Sequence, residues 1–174
     1  MAGALIKIDE EIVSSAVASV TLGGSDWDSS YDVYMVKISG LIPVSDSFLY
    51  IRVTESGTPN TTANYDYARY GLNSDAAFNT GPATNQTAFP FMGTVESSTS
   101  GTGGNAIFYL FNFNNSEYSF ATSEEVHWHN NASLRGWQSG FVFTSTSSCD
   151  GVNIFANTGN IASGQFVLYG LKKS

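Results

Sequence analysis

The sequence predicts an all-β fold: one antiparallel β-sandwich spanning residues 1–174, jelly-roll-like, with little or no helix. Three observations carry that expectation. Short stretches rich in Val, Ile, Tyr and Phe recur along the chain, broken by Gly, Asn and Ser. No segment holds a convincing 3.6-residue apolar period. The chain is also rich in turn formers, with 17 glycines among 174 residues.

The elements follow in order. Residues 12–22 (IVSSAVASVTL) read as a strand, because their β-branched residues and serines are poor in helix interiors. Residues 31–38 (YDVYMVKI) form the next and stop before Gly40 and Pro43. Residues 47–53 (SFLYIRV) follow after a short loop and end at a Gly-Thr-Pro-Asn turn, so an antiparallel pair is expected. From 56 to 104 the texture becomes polar and turn-rich. This region reads as long connections carrying strands near 65–70 and 88–95, with a low-complexity loop at 97–105 (SSTSGTGGN). Residues 106–113 put Ile107, Tyr109, Phe111 and Phe113 on one face. Shorter strands are expected at 125–130, with Trp128 in the core, and at 140–144 and 151–155.

The last strand is apolar on both faces. Phe166 and Leu168 fall on one side, and Val167, Tyr169 and Leu171 on the other, which predicts burial from two directions. Gly164 and Gly170 stand at its ends, where they allow close approach or a bulge.

Bulk properties narrow the function. A chain of this length buries roughly 70% of its unfolded surface and holds a core without staples. Its net charge of −8, with seven Lys and Arg, repels phosphate backbones and anionic lipid, so neither nucleic acid nor membrane is an expected partner. Charged residues are only 13% against a usual share of about 25%, while aromatics reach 14%. That balance is common in β-rich virion, adhesin and secreted binding proteins. One cysteine, Cys149, excludes an internal disulfide. With no signal-like apolar run at the start, the chain is expected to be made in a cytosol.

Few residues suggest catalysis. Cys149 lies in a turn-like Ser-Ser-Cys-Asp-Gly context without an adjacent histidine, and neither a nucleophile elbow nor a phosphate loop occurs. Fifteen acids permit a glycosidase-like pair but do not indicate one. No enzyme activity and no cofactor are expected. His127 and His129, two apart on a strand, point the same way and suit a shared metal; the competing reading is two polar neighbours of a core Trp128. Asp26 and Asp28 have spacing that suits a hard cation, but they lack the central Gly and late Glu of an EF-hand loop, and turn roles compete. Among aromatics, Tyr65, Tyr67, Tyr70 and Trp137 are candidates for a ligand- or partner-stacking surface, with Trp27 a weaker one; the alternative is that they fill the core.

Two passages also carry a resemblance. "NTGNIASGQFVLYGLKK" (157–173) looks like the closing strand of many tailed-phage virion proteins, in which a Ser-Gly-x-Phe-x-Leu-Tyr-Gly core completes a β-sandwich. "SSYDVYMVKISGLIPVSDSFLYIRVTESG" (29–57) resembles the same group, and together the passages cover about a third of the chain. The resemblance implies a non-enzymatic virion component, such as a decoration, head-fibre or tail-fibre protein, made in the host cytoplasm. Its expected partners are copies of itself and other virion proteins, with Phe166, Val167, Leu168, Tyr169 and Leu171 as the interface strand. A carbohydrate- or receptor-binding module that uses its loop aromatics on host surface polysaccharide is the alternative.

Overall fold

The computed structural model describes residues 4–75, 78–97 and 103–172. They form fourteen strands: β1 (Leu5–Val13), β2 (Ser19–Gly23), β3 (Tyr31–Pro43), β4 (Ser47–Glu55), β5 (Thr58–Pro59), β6 (Tyr65–Asn73), β7 (Asn79–Thr80), β8 (Ala83–Gln86), β9 (Phe89–Val95), β10 (Gly104–Phe111), β11 (Ser119–His129), β12 (Ser133–Phe143), β13 (Gly151–Ala156) and β14 (Ile161–Lys172). The one helical element described is a single 3₁₀ turn, Gly24–Asp26.

The strands make an antiparallel sandwich. The larger layer runs β1-β14-β3-β10-β11-β12-β6, with β7 and β8 on the outer edge of β6, and the smaller runs β2-β13-β4-β9. Four successive strand pairs step across the sandwich, so 1-14-3-10 in one layer faces 2-13-4-9 in the other. This order is jelly-roll-like, in keeping with the fold class expected from the sequence. At one side the layers join through a single residue pair, His129 with Val95, which nearly closes the sheet into a barrel. At the other, Val17 and Ile161 exchange hydrogen bonds of 3.0 and 2.8 Å.

Crossing explains two departures from expectation. Residues 12–22 are not one strand: β1 belongs to the larger layer and β2 to the smaller, and residues 14–18 carry the chain between them. Likewise β3 and β4 do not pair. β3 lies between β14 and β10, whereas β4 lies between β13 and β9. Both strands bury alternate residues toward the same core, so the short loop between them has to turn over the top of the sandwich. Two strands do occur where expected in the 56–104 region, as β6 and β9, while residues 98–102 of the low-complexity loop lie outside the described residues.

One apolar core fills the space between layers. Phe91 meets Phe108 edge to face with ring centres 5.1 Å apart, and Trp27 stacks on Tyr34 at 3.9 Å. Such pairs each add about 0.5–1.5 kcal/mol beyond simple burial. Asn112 has a φ of 66°, which ends the alternation of β10. Phe113 therefore turns into the core instead of joining Ile107, Tyr109 and Phe111 outside.

The closing strand β14 is internal to its layer, flanked by β1 and β3. Phe166 and Leu168 are fully buried in the core, Val167 is 4% exposed on the other side, Tyr169 is half-buried and Leu171 is 45% exposed. Gly170 is needed because the Tyr31 ring occupies its flank, 2.4 Å from where a Cβ would stand. Gly164, with φ of 151°, sits where the register with β3 shifts.

Candidate functional site: the outer face of the larger sheet

Strict alternation along β10 and β11 builds this face. Ala106, Phe108 and Leu110 point into the core, so Ile107, Tyr109 and Phe111 point out; Ala121 points in, so Phe120, Thr122, Glu124, Val126 and Trp128 point out. Pairing registers then align side chains into rows across the sheet. One row reads Leu171, Val33, Phe111, Phe120, Val142; the next reads Tyr169, Met35, Tyr109, Thr122, Gly140. A third reads Val167, Lys37, Ile107, Glu124, Gln138.

The result is a broad surface that from β14 to β12 carries charge in these three rows only at Lys37 and Glu124, with Lys7 and Glu10 at its β1 edge and Asp66 at its β6 edge. Phe120 is 48% exposed, Tyr109 45% and Trp128 38%. Where Gly140 and Ala68 replace large side chains, a shallow depression of about 410 Å³ opens beside Phe111, Phe120 and Val142. A second, of about 350 Å³, lies around Ile107 between Lys37 and Glu124. At the β1 edge the surface turns polar, where Lys7 and Glu10 form an ion pair of 2.7 Å and Gln165 donates to Glu10 at 2.6 Å. The Lys7 ammonium holds the Glu10 carboxyl below its usual range.

The candidate stacking aromatics do not gather. Tyr65 is fully buried: its hydroxyl accepts from the Val53 N–H at 3.1 Å and donates to the Asn60 carbonyl at 3.0 Å. Tyr67 packs edge to face on Phe89, ring centres 5.4 Å apart. Trp137 points inward, where the Arg69 guanidinium lies 4.3 Å from its ring and Gly71 leaves room for it. Tyr70 points outward, 42% exposed, with Phe78 beside it at 5.1 Å. Trp27 belongs to the core.

The histidines invert their expected orientation. Trp128 is on the outer face, whereas His127 is 2% exposed within the fold. Its Nδ1 lies 2.8 Å from the Glu125 carboxyl, and β9 passes over it so closely that a Cβ on Gly93 would sit 3.4 Å from Nε2. Burial holds the His127 pKa down near 3 and raises Glu125 well above the carboxylate range. Both shifts disfavour charge, so the pair is neutral and hydrogen-bonded. His129 also points inward, 6.0 Å from His127 between ring centres, but its Nδ1 is engaged by Asn131 at 2.8 Å. Among the described residues, no three His, Cys, Asp or Glu side chains, Glu125 with the two histidines included, are arranged to hold a metal ion.

Asp28 closes a turn, accepting the Ser30 N–H at 2.7 Å, and its carbonyl accepts from Tyr34 and Asn114. Asp26 is exposed in the 3₁₀ turn. Cys149 is 2% exposed, and burial pushes its thiol up to about 12.

Sequence reasoning missed Val33, Met35, Phe111, Phe120 and Val142 as a surface. The available signal was that β3, β10 and β12 carry apolar residues at both parities, as β14 does.

Fold and face together define a class: an antiparallel β-sandwich protein with a broad, charge-poor outer sheet surface. No protein-family model matches the chain, and no curated protein matches it.

Proposed function

We propose that this protein is a non-enzymatic structural component of a phage virion, acting through protein–protein contacts. The observation that carries the reading is the outer face of the larger sheet. Exposed apolar patches above a few hundred Å² mark interaction sites on soluble proteins, and here rows of Phe, Tyr, Leu and Val cross five strands. The virion assignment adds the resemblance of the β3–β4 and β14 segments to tailed-phage structural proteins. Those segments supply central strands of both layers, so the resemblance follows the frame of the fold rather than its loops.

Mass spectrometry of density-purified particles, from a lysate of cells carrying the coding sequence, tests this. Recovery in fixed stoichiometry with other particle proteins is the expected result. Protein found free in the lysate and absent from particles overturns it.

One observation favours a second reading, a carbohydrate-binding module. Tyr70 and Phe78 form an exposed aromatic pair beside a groove of about 420 Å³ bordered by Gln138, Ser139 and Thr80. Rings flanked by hydroxyl and amide groups suit a sugar. Binding in a screen of bacterial surface polysaccharides that is lost in Tyr70→Ala and Phe78→Ala supports it. Binding retained by both variants moves the sugar elsewhere, and no binding at all ends this reading.

A further inference from the structure

We propose that the outer face of the larger sheet is covered by a second copy of this chain, packed face to face with a twofold axis parallel to β10. This deepens the protein-contact reading above and rests on it.

The charge pattern selects both the occupant and the axis. Across the row Val167, Lys37, Ile107, Glu124, Gln138, the two charges are opposite in sign and flank Ile107 symmetrically, one on each neighbouring strand. Rotation by 180° about an axis running along β10 past Ile107 brings Lys37 of each copy opposite Glu124 of the other. Two complementary contacts form from one residue pair, as an isologous interface requires. An axis along the row would instead set Lys37 against Lys37 and Glu124 against Glu124.

Composition points the same way. The chain carries a net charge of −8, so two copies repel unless they meet where charge is sparse. The rows through Phe111 and Tyr109 provide that place, being uncharged from β14 to β12. Size is adequate. Ile107, Tyr109, Phe111, Phe120, Val126 and Trp128 are each about two-fifths exposed or more. With full burial of an aromatic worth 150–250 Å², these six expose on the order of 500 Å². Half-buried Val33, Met35, Tyr169 and Val142 extend this toward the roughly 800 Å² per partner of a standard interface. The depressions beside Phe120 and around Ile107 give opposing side chains somewhere to seat.

Sedimentation equilibrium of the full chain, with Lys37→Glu, Glu124→Lys and the double variant, tests the proposal. Both positions are on the exposed face, and circular dichroism of each variant serves as the check that it folds. The wild type is expected to dimerise, each single reversal to weaken the dimer by about tenfold or more, and the double variant to recover most of that loss. A wild type that stays monomeric at high protein concentration overturns the proposal. So does association indifferent to both reversals, or one weakened by each and not restored by the pair. None of those outcomes decides whether the protein is in particles, which the mass spectrometry reads separately.

Discussion

Glu125 and His127 face each other inside the fold, carboxyl to Nδ1 at 2.8 Å, with neither side chain exposed to solvent. Their pKa values move in opposite directions from one cause, loss of hydration, and this gives stability a characteristic pH profile. His127 falls from 6.5 to about 3, so its stabilisation is complete above 6.5 and is lost as pH drops toward 3. Glu125 rises from 4.5, so its contribution is complete below 4.5 and is lost as pH climbs toward its raised value. Between 4.5 and 6.5 the two slopes oppose each other, and above 6.5 the His127 contribution is constant, so what the pair still adds is the loss from Glu125 as pH rises. Urea unfolding from pH 5 to 9 should show that decline in the wild type and a flatter profile in Glu125→Gln. Parallel profiles would sink this account.

Tyr65 holds the turn after β5 against β4. Its hydroxyl bridges the Val53 N–H and the Asn60 carbonyl in the core. Tyr65→Phe keeps the ring packing against Phe143 but leaves both backbone groups without that partner. The expected loss is about 1–3 kcal/mol, read as a lower urea midpoint with unchanged slope. An unchanged midpoint would show that water takes over both bonds.

Gly151 stands where β13 is squeezed between β2 and β4. A Cβ there would lie 2.4 Å from the Leu22 carbonyl oxygen and 2.7 Å from the Thr54 hydroxyl. The first contact is backbone and cannot rotate away. Gly151→Ala is expected to destabilise by roughly 2–4 kcal/mol, measured by thermal unfolding. A change below about 0.5 kcal/mol would mean the three strands part at little cost.

Cys149 should be chemically silent in the folded protein. With its thiol pushed up to about 12 and its side chain 2% exposed, thiolate is scarce and shielded. Labelling by a chromogenic disulfide reagent is expected to be slow in native buffer and to speed up with urea in step with unfolding. Full labelling within seconds under native conditions contradicts this.

Much of the architecture is legible in the residues themselves. Val, Ile, Tyr and Phe in short runs, stopped by Gly, Pro and Asn, mark β3, β4, β10, β13 and β14, because those side chains fit a pleated, packed surface. The two-sided apolar character of 166–171 marked a strand that is no solvent-washed edge, but the expected burial of its second face holds for Val167 and fails for Leu171, which is 45% exposed.

Tertiary structure decided what each parity means. A period of two says which residues share a face and is silent on which face is inside. From hydropathy alone, Val126 and Trp128 belong in the core and Glu125 and His127 outside. The fold chooses the reverse, because Ala121 and Phe108 pack inward in the middle of the hairpin and β11 carries that parity to its end, under β9. Partner strands were equally invisible: β3 and β4 are neighbours in sequence yet belong to opposite layers, since pairing depends on contacts made far along the chain. The sequence thus determined that this protein is made of strands. Only the folded sheet, by fixing register and inside from outside, turned half of their apolar residues into a core and the rest into a surface.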